Sequence, residues 1–112
     1  MTLAPLTPEA MAEWSAWLRD DNAIHLSREA AEASGFGPRR VNPGPANLAL
    51  LISAVLRADP GAEFASITAD FTGNAFEGDE LDTTLSADSA ILTRAGEVLV
   101  SAQFSRKPRD ER

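Results

Sequence analysis

From Ala46 to Leu56 nearly every residue is apolar: Leu48, Ala49, Leu50, Leu51, Ile52, Ala54 and Val55 leave no polar stripe at helical spacing. A helix that is apolar all round must be covered all round. Pro45 suits its first turn, Arg57 its last, and Asp59-Pro60-Gly61 stops it. Directly after that stop the hydrophobic period changes to two. Ala65, Ile67, Ala69 and Phe71 alternate with Ser66, Thr68 and Asp70; Leu81, Thr83 and Leu85 alternate more weakly; Val98, Val100, Ala102 and Phe104 alternate plainly. Ala90-Ile91-Leu92 predicts another short strand, joined to the last by Arg94-Ala95-Gly96. Only turns separate these strands, so they pair antiparallel, and a sheet of about four of them must wrap the central helix. The fold class is α+β, with the strands in a meander around a long buried helix.

Ahead of that helix, Thr7-Pro8-Glu9 is a helix opening: Thr7 caps, Pro8 takes the first helical position and Glu9 favours the positive end of the dipole. The spacing predicts a helix over 8–18. Met11, Trp14 and Leu18, flanked by Ala10 and Trp17, form its apolar stripe, which places both tryptophans in the core. Residues 19–26 read as a loop because Asp20-Asp21-Asn22 breaks the period. Ser27 can cap a short helix running through Ser34 and stopped by Gly35, and Pro and Gly make 36–45 irregular. A chain of 112 residues is one domain. We assign 1–105 to it and 106–112 to a charged, frayed tail.

Charge excludes one large class of function. Ten basic against seventeen acidic residues give a formal net charge of −7, and Arg106, Lys107, Arg109 and Arg112 lie in the tail, so the body is more acidic still. Such a body repels phosphate backbones and argues against nucleic-acid binding. The sequence has no cysteine and one histidine, which excludes thiolate chemistry and offers no recognisable metal-ligand set. There is no long apolar run of membrane-spanning length and no leader pattern, so the expected location is the cytoplasm, with no membrane partner.

The lone histidine, His25, shares its loop with Asp20, Asp21 and Asn22. A second irregular segment, Asn42-Pro43-Gly44-Pro45, opens straight into the apolar helix. Free amides at a helix start can meet a developing negative charge; Pro45 has none, so the N–H groups of Gly44, Ala46 and Asn47 are the candidates. An acid–base pair together with an anion-stabilising helix start is what addition or elimination of water beside a thioester carbonyl requires.

These residues resemble a known family. Asp20-Asp21-Asn22-Ala23-Ile24-His25 looks like the Asp-x-Asn-Pro-Ile-His signature of the MaoC-like, R-specific enoyl-CoA hydratases and dehydratases. Further pieces fall in the same order: Ala30, Ala31 and Gly35-Phe36 resemble the family's short helix and Gly-Phe step; Val41-Asn42-Pro43-Gly44 resembles its Ile-x-His-Gly; Phe76-Glu77-Gly78-Asp79 resembles its Tyr-x-Gly-Asp turn. The chain departs from the pattern with Arg19 for Gly, Ala23 for Pro, Ser27 for Asp and Pro43 for His.

The resemblance implies a single hot-dog domain in which Asp20 and His25 are the catalytic pair, Asn22 supports them and the Gly44 amide polarises the thioester carbonyl. It implies a hydro-lyase acting on an acyl-CoA or acyl-carrier-protein thioester, with coenzyme A or phosphopantetheine as part of the substrate and no separate cofactor or metal. A homodimer or higher homo-oligomer is implied too. Arg39 and Arg40, just ahead of the helix start, could meet phosphates of the coenzyme A or pantetheine arm. Two rival readings keep the fold but change the function: a thioesterase, and an acyl-thioester-binding module without turnover.

Overall fold

A computed structural model describes residues 1–107 of the chain. Helix α1 is Pro8–Leu18, opened as its sequence dictates: the Thr7 hydroxyl accepts the Ala10 N–H at 3.1 Å and Pro8 takes the first turn. Ser27 likewise accepts the Ala30 N–H and starts α2, Arg28–Ala33. The central helix α3 is Gly44–Ala58. Four strands follow: β1 Phe64–Phe71, β2 Asp82–Leu85, β3 Ser89–Arg94 and β4 Glu97–Arg106. The β3–β4 turn is two residues long, Ala95 and Gly96, both at positive φ (48° and 83°), which matches the right-handed twist of the flanking strands.

The sheet is antiparallel throughout, in the order β1-β4-β3-β2. It is therefore not the simple meander predicted. Strands β2 to β4 form one, but β1 pairs with the last strand, because the connection over 72–81 crosses the end of the sheet instead of turning back beside β1. That crossing segment carries Ala75, Phe76, Glu77 and Asp79 past the loop before α3, where Phe76 bridges to Val41.

Helix α3 buries Leu51, Ala54 and Val55 against β2, β3 and β4, in a core with Leu81, Ala90, Leu92, Leu99, Val100, Ala102 and Phe104. The prediction that α3 is covered on every side fails for the chain alone. Strands β2, β3 and β4 cover one face, and Leu56 stays 38% exposed with Leu48, Ala49 and Ile52 half-buried. Strand β1 lies at the sheet edge beyond α3, so Ile67 and Phe71, on the same face as Phe104 and Val100 by register, are open to solvent. The tryptophans differ from expectation in the same way: α1 buries Met11 and Ser15, whereas Trp14 is half-buried and Trp17 is 84% exposed. An amphipathic stripe shows that a face is covered by something, without showing that the same chain covers it.

Strand β4 continues to Arg106. Arg106 pairs with Phe64 across β1 and β4 and binds Asp59 at 2.9 Å, and the Lys107 N–H donates to Glu63 O. The remainder of the expected tail, 108–112, lies outside the described residues. Among the described residues no helix is long and apolar enough to cross a membrane.

Candidate functional site

Helix α1 ends on Arg19 in the left-handed region (φ 52°), and the next N–H, that of Asp20, closes back on Ser15 O at 2.9 Å. Two Asx turns follow in succession. Asp20 Oδ1 accepts the Asn22 N–H at 3.1 Å, and Asn22 Oδ1 accepts the Ile24 N–H at 3.2 Å. They wind residues predicted as plain loop into a single 3-10 turn, Ala23–His25, which returns the imidazole over Asp20. His25 Nε2 lies 3.0 Å from Asp20 Oδ2; the ring is buried while the aspartate side chain is 40% exposed. Asn22 thus touches both ends of the turn, its N–H on the Asp20 carboxylate and its side chain on the Ile24 N–H, and Asp21 is exposed. The Asn22 N–H on its carboxylate, opposed by desolvation and helped by His25, holds Asp20 below the usual aspartate pKa.

The other ring nitrogen fixes the proton count. His25 Nδ1 is 2.8 Å from Val41 O, and a carbonyl can only accept, so Nδ1 carries a hydrogen. A hydrogen bond between Nε2 and Oδ2 then needs one further proton, held by the pair as a unit. With that proton removed, two acceptors stand 3.0 Å apart. A water molecule in front of the pair then meets an acceptor on each residue.

Val41 also ties this turn to the start of α3. Its N–H donates to Ile24 O at 2.9 Å, and the next N–H, that of Asn42, donates to Ala75 O at 2.8 Å. Asn42 Nδ2 donates to Asn47 Oδ1 at 2.6 Å, a buried bond between the loop and the helix it opens. Pro43 caps α3 with no side-chain hydrogen bond. Of the three amides considered from sequence, those of Ala46 and Asn47 turn back to Pro43 O at 3.0 and 3.2 Å. Among the described residues nothing accepts the Gly44 N–H, which is left as the open donor at the positive end of α3. A Cβ on Gly44 would meet the Phe71 ring at an ordinary 3.7 Å, so the backbone does not require glycine here for space within the chain.

Arg39 and Arg40 are engaged within the chain. Arg40 binds Glu77 Oε2 at 3.1 Å and Leu26 O at 3.1 Å. Arg39 binds Asp79 Oδ1 at 2.7 Å and lies over the Phe76 ring, 5.0 Å from its centroid; Arg94 binds Asp79 Oδ2 at 2.7 Å. Arg28 reaches Glu77 with both nitrogens of a fork, at 2.8 and 2.9 Å. Arg28, offset by burial and seconded by the Arg40 N–H, lowers Glu77 from the ordinary 4.5 to about 2. Burial pushes Asp79 up, but Arg94, the Phe76 N–H and Arg39 outweigh it and leave its pKa lowered. Arg28 and Arg39, both well exposed, line one cleft of about 660 Å³ together with Thr7, Pro38 and Gly78.

Asp20 opens on a smaller hollow of about 390 Å³ walled by Ala12, Ser15, Ala16, Arg19, Asp21 and Leu26. His25 and Gly44 are not part of that wall. Among the described residues no cluster of three His, Cys, Asp or Glu could hold a metal ion. Sequence reasoning missed the Val41 carbonyl, the Asn42–Asn47 bond and the role of Glu77. A backbone acceptor has no sequence signal, and Glu77 reads only as one acid in a turn.

No protein-family model matches the sequence, and no curated protein matches it. Solved structures do. An R-hydratase from Pseudomonas aeruginosa, in its unliganded form, is similar with a TM-score of 0.78 at 21% identity, over 99% of this chain and 79% of that one. The C-terminally truncated HadBC (3R-hydroxyacyl-ACP dehydratase) complex from Mycobacterium tuberculosis gives 0.77 at 18%, over 96% of this chain and 90% of that one. The (R)-hydratase from A. caviae involved in PHA biosynthesis gives 0.76 at 18%, over 93% and 89% respectively. The fold is the α+β hot-dog fold of these R-hydratases and dehydratases.

Proposed function

We propose that this hot-dog domain is a hydro-lyase that adds water to a trans-2-enoyl thioester, or removes it from the matching 3-hydroxyacyl thioester. The observation that carries the reading is the Asp20–His25 pair at 3.0 Å, its ring fixed by the Val41 carbonyl in the same loop that ends on the open Gly44 N–H.

In hydration, water held in front of the Asp20–His25 pair gives a proton to one of them as its oxygen bonds to C3. The C2=C3 electron pair moves toward the thioester, whose oxygen takes the negative charge against the Gly44 N–H and the positive end of α3. The pair then returns a proton to C2. Water has been split across the double bond and the pair ends in its starting protonation state. Dehydration is the same path reversed. The lowered pKa of Asp20 keeps its carboxylate ionised as a hydrogen-bond acceptor that orients the water and makes it the weaker base, which leaves His25 Nε2 to take the proton and return it.

The acyl group would be carried by coenzyme A or by the phosphopantetheine of a carrier protein. Arg39, exposed beside its cleft, retains free donors for a phosphate; Arg40, held by Glu77 and Leu26, has fewer to offer. The uncovered apolar surface of β1 and α3, at Ile67, Phe71 and Leu56, supports an assembly of at least two chains, either two copies or one copy with a related chain.

Mass spectrometry of the protein with enoyl and 3-hydroxyacyl thioesters, each on coenzyme A and on a carrier protein, tests the reading. Gain or loss of one water is the expected result. Release of free thiol with no change at C2 and C3 would replace it with a thioesterase.

A further inference from the structure

Each carboxylate oxygen of Glu77 accepts two hydrogen bonds. Oε1 takes Arg28 Nε at 2.8 Å and the Arg40 N–H at 3.0 Å; Oε2 takes Arg28 Nη2 at 2.9 Å and Arg40 Nη1 at 3.1 Å. Its own N–H donates to Arg40 O at 3.0 Å, so both backbone polar groups of Arg40 end on this one residue. The segment held in this way carries the group that holds the ring of His25 at Nδ1 and two contacts to the residues that flank it. Val41 O takes the ring at Nδ1, the Val41 N–H holds Ile24 O on one flank, and Arg40 Nε holds Leu26 O on the other.

We propose that Glu77 is a positioning residue for His25, acting through Arg40 and Val41 to keep Nδ1 protonated and Nε2 turned to Asp20; its consequence for turnover rests on the hydro-lyase reading, while its effect on the ring does not. Charge-assisted bonds suit this task because they are short and directional. A buried carboxylate shared between two guanidiniums adds little net stability compared with apolar packing, so its value here lies in geometry. Displacing the Val41 carbonyl by a fraction of an ångström would free the ring to take the other tautomer.

The experiment uses the fact that His25 is the chain's only histidine, so its imidazole ¹⁵N resonances need no assignment. Once the proton shared with Asp20 is removed, the wild-type ring carries its remaining hydrogen on Nδ1. Glu77→Gln places amide hydrogens among guanidinium donors, and the ring is expected to become a tautomer mixture. On the thioester that the wild type turns over, kcat falls by about 10-fold or more with KM within about 2-fold, the pattern of a misplaced reacting group. Arg40→Lys keeps a cation beside Glu77 but cannot also reach Leu26 O, and shifts the tautomer in the same direction. Arg94→Lys weakens the Asp79 half of the cluster and serves as a destabilised control with the wild-type ring signature. Wild-type tautomer in folded Glu77→Gln and in Arg40→Lys overturns the proposal, and if Glu77→Gln does not fold, Arg40→Lys alone decides it. A wild type with no hydration or dehydration of any thioester, alongside a ring that shifts as stated, sinks the hydro-lyase reading and leaves the positioning role standing.

Discussion

The Val41 carbonyl oxygen lies 2.8 Å from His25 Nδ1, which makes a backbone atom three residues ahead of Gly44 the group that fixes the imidazole. One short segment therefore sets both the tautomer of the candidate base and the direction from which α3 presents its first amide.

Asn22→Ala removes the side-chain acceptor of the Ile24 N–H and with it the second Asx turn. Loss of such a cap costs about 1 kcal/mol. We expect a lower melting temperature of that size and a fall in kcat, because the 3-10 turn delivers His25. Thermal unfolding and initial rates on one protein preparation check both.

Glu77 gives a pH signature in stability. Its folded-state pKa is depressed from 4.5 to about 2, so it contributes stability above the unfolded value. That contribution fades as pH falls from about 5 through 2, because the unfolded chain binds the proton first. Urea midpoints measured across this range should drop for the wild type more steeply than for Glu77→Gln. Parallel curves would contradict the assignment.

Gly44→Ala should fold normally, since the added Cβ finds ordinary contact with Phe71 and α3 gains a better helix former. The amide is retained but the approach to it narrows. A fall of about 10-fold in kcat/KM, at a melting temperature no lower than that of the wild type, is expected if a carbonyl oxygen sits there.

Much of the fold was legible because periodicity reports local geometry. Thr7 and Ser27 act as caps, α1 has the predicted bounds, and each of the four strands overlaps a segment read as a strand, with ends that differ by one or two residues. The strand order was not legible, since no local pattern tells β1 to pair with β4 across a ten-residue crossing over 72–81. Nor was the exposure of Trp17 and Phe71, which depends on what else covers the chain. At the site, the carboxylate and imidazole were visible as residue types in one loop. The carbonyl of Val41 and the hold of Glu77 on Arg40 arise only from segments far apart in sequence meeting at the tip of α3.

Ile67 and Phe71 on the uncovered strand β1 predict the assembly. Sedimentation should show at least two chains together, and Phe71→Asp should shift the wild type toward single chains with a lower melting temperature. A monodisperse single chain at micromolar concentration would contradict the shared apolar surface.

The most direct test is the rate of water addition to an enoyl thioester by the wild type, Asp20→Asn and His25→Ala, each confirmed folded. The pair at 3.0 Å predicts a loss of about 10²-fold or more in kcat for each variant, the usual scale for a general acid or base. Wild-type rates in both variants would contradict the account.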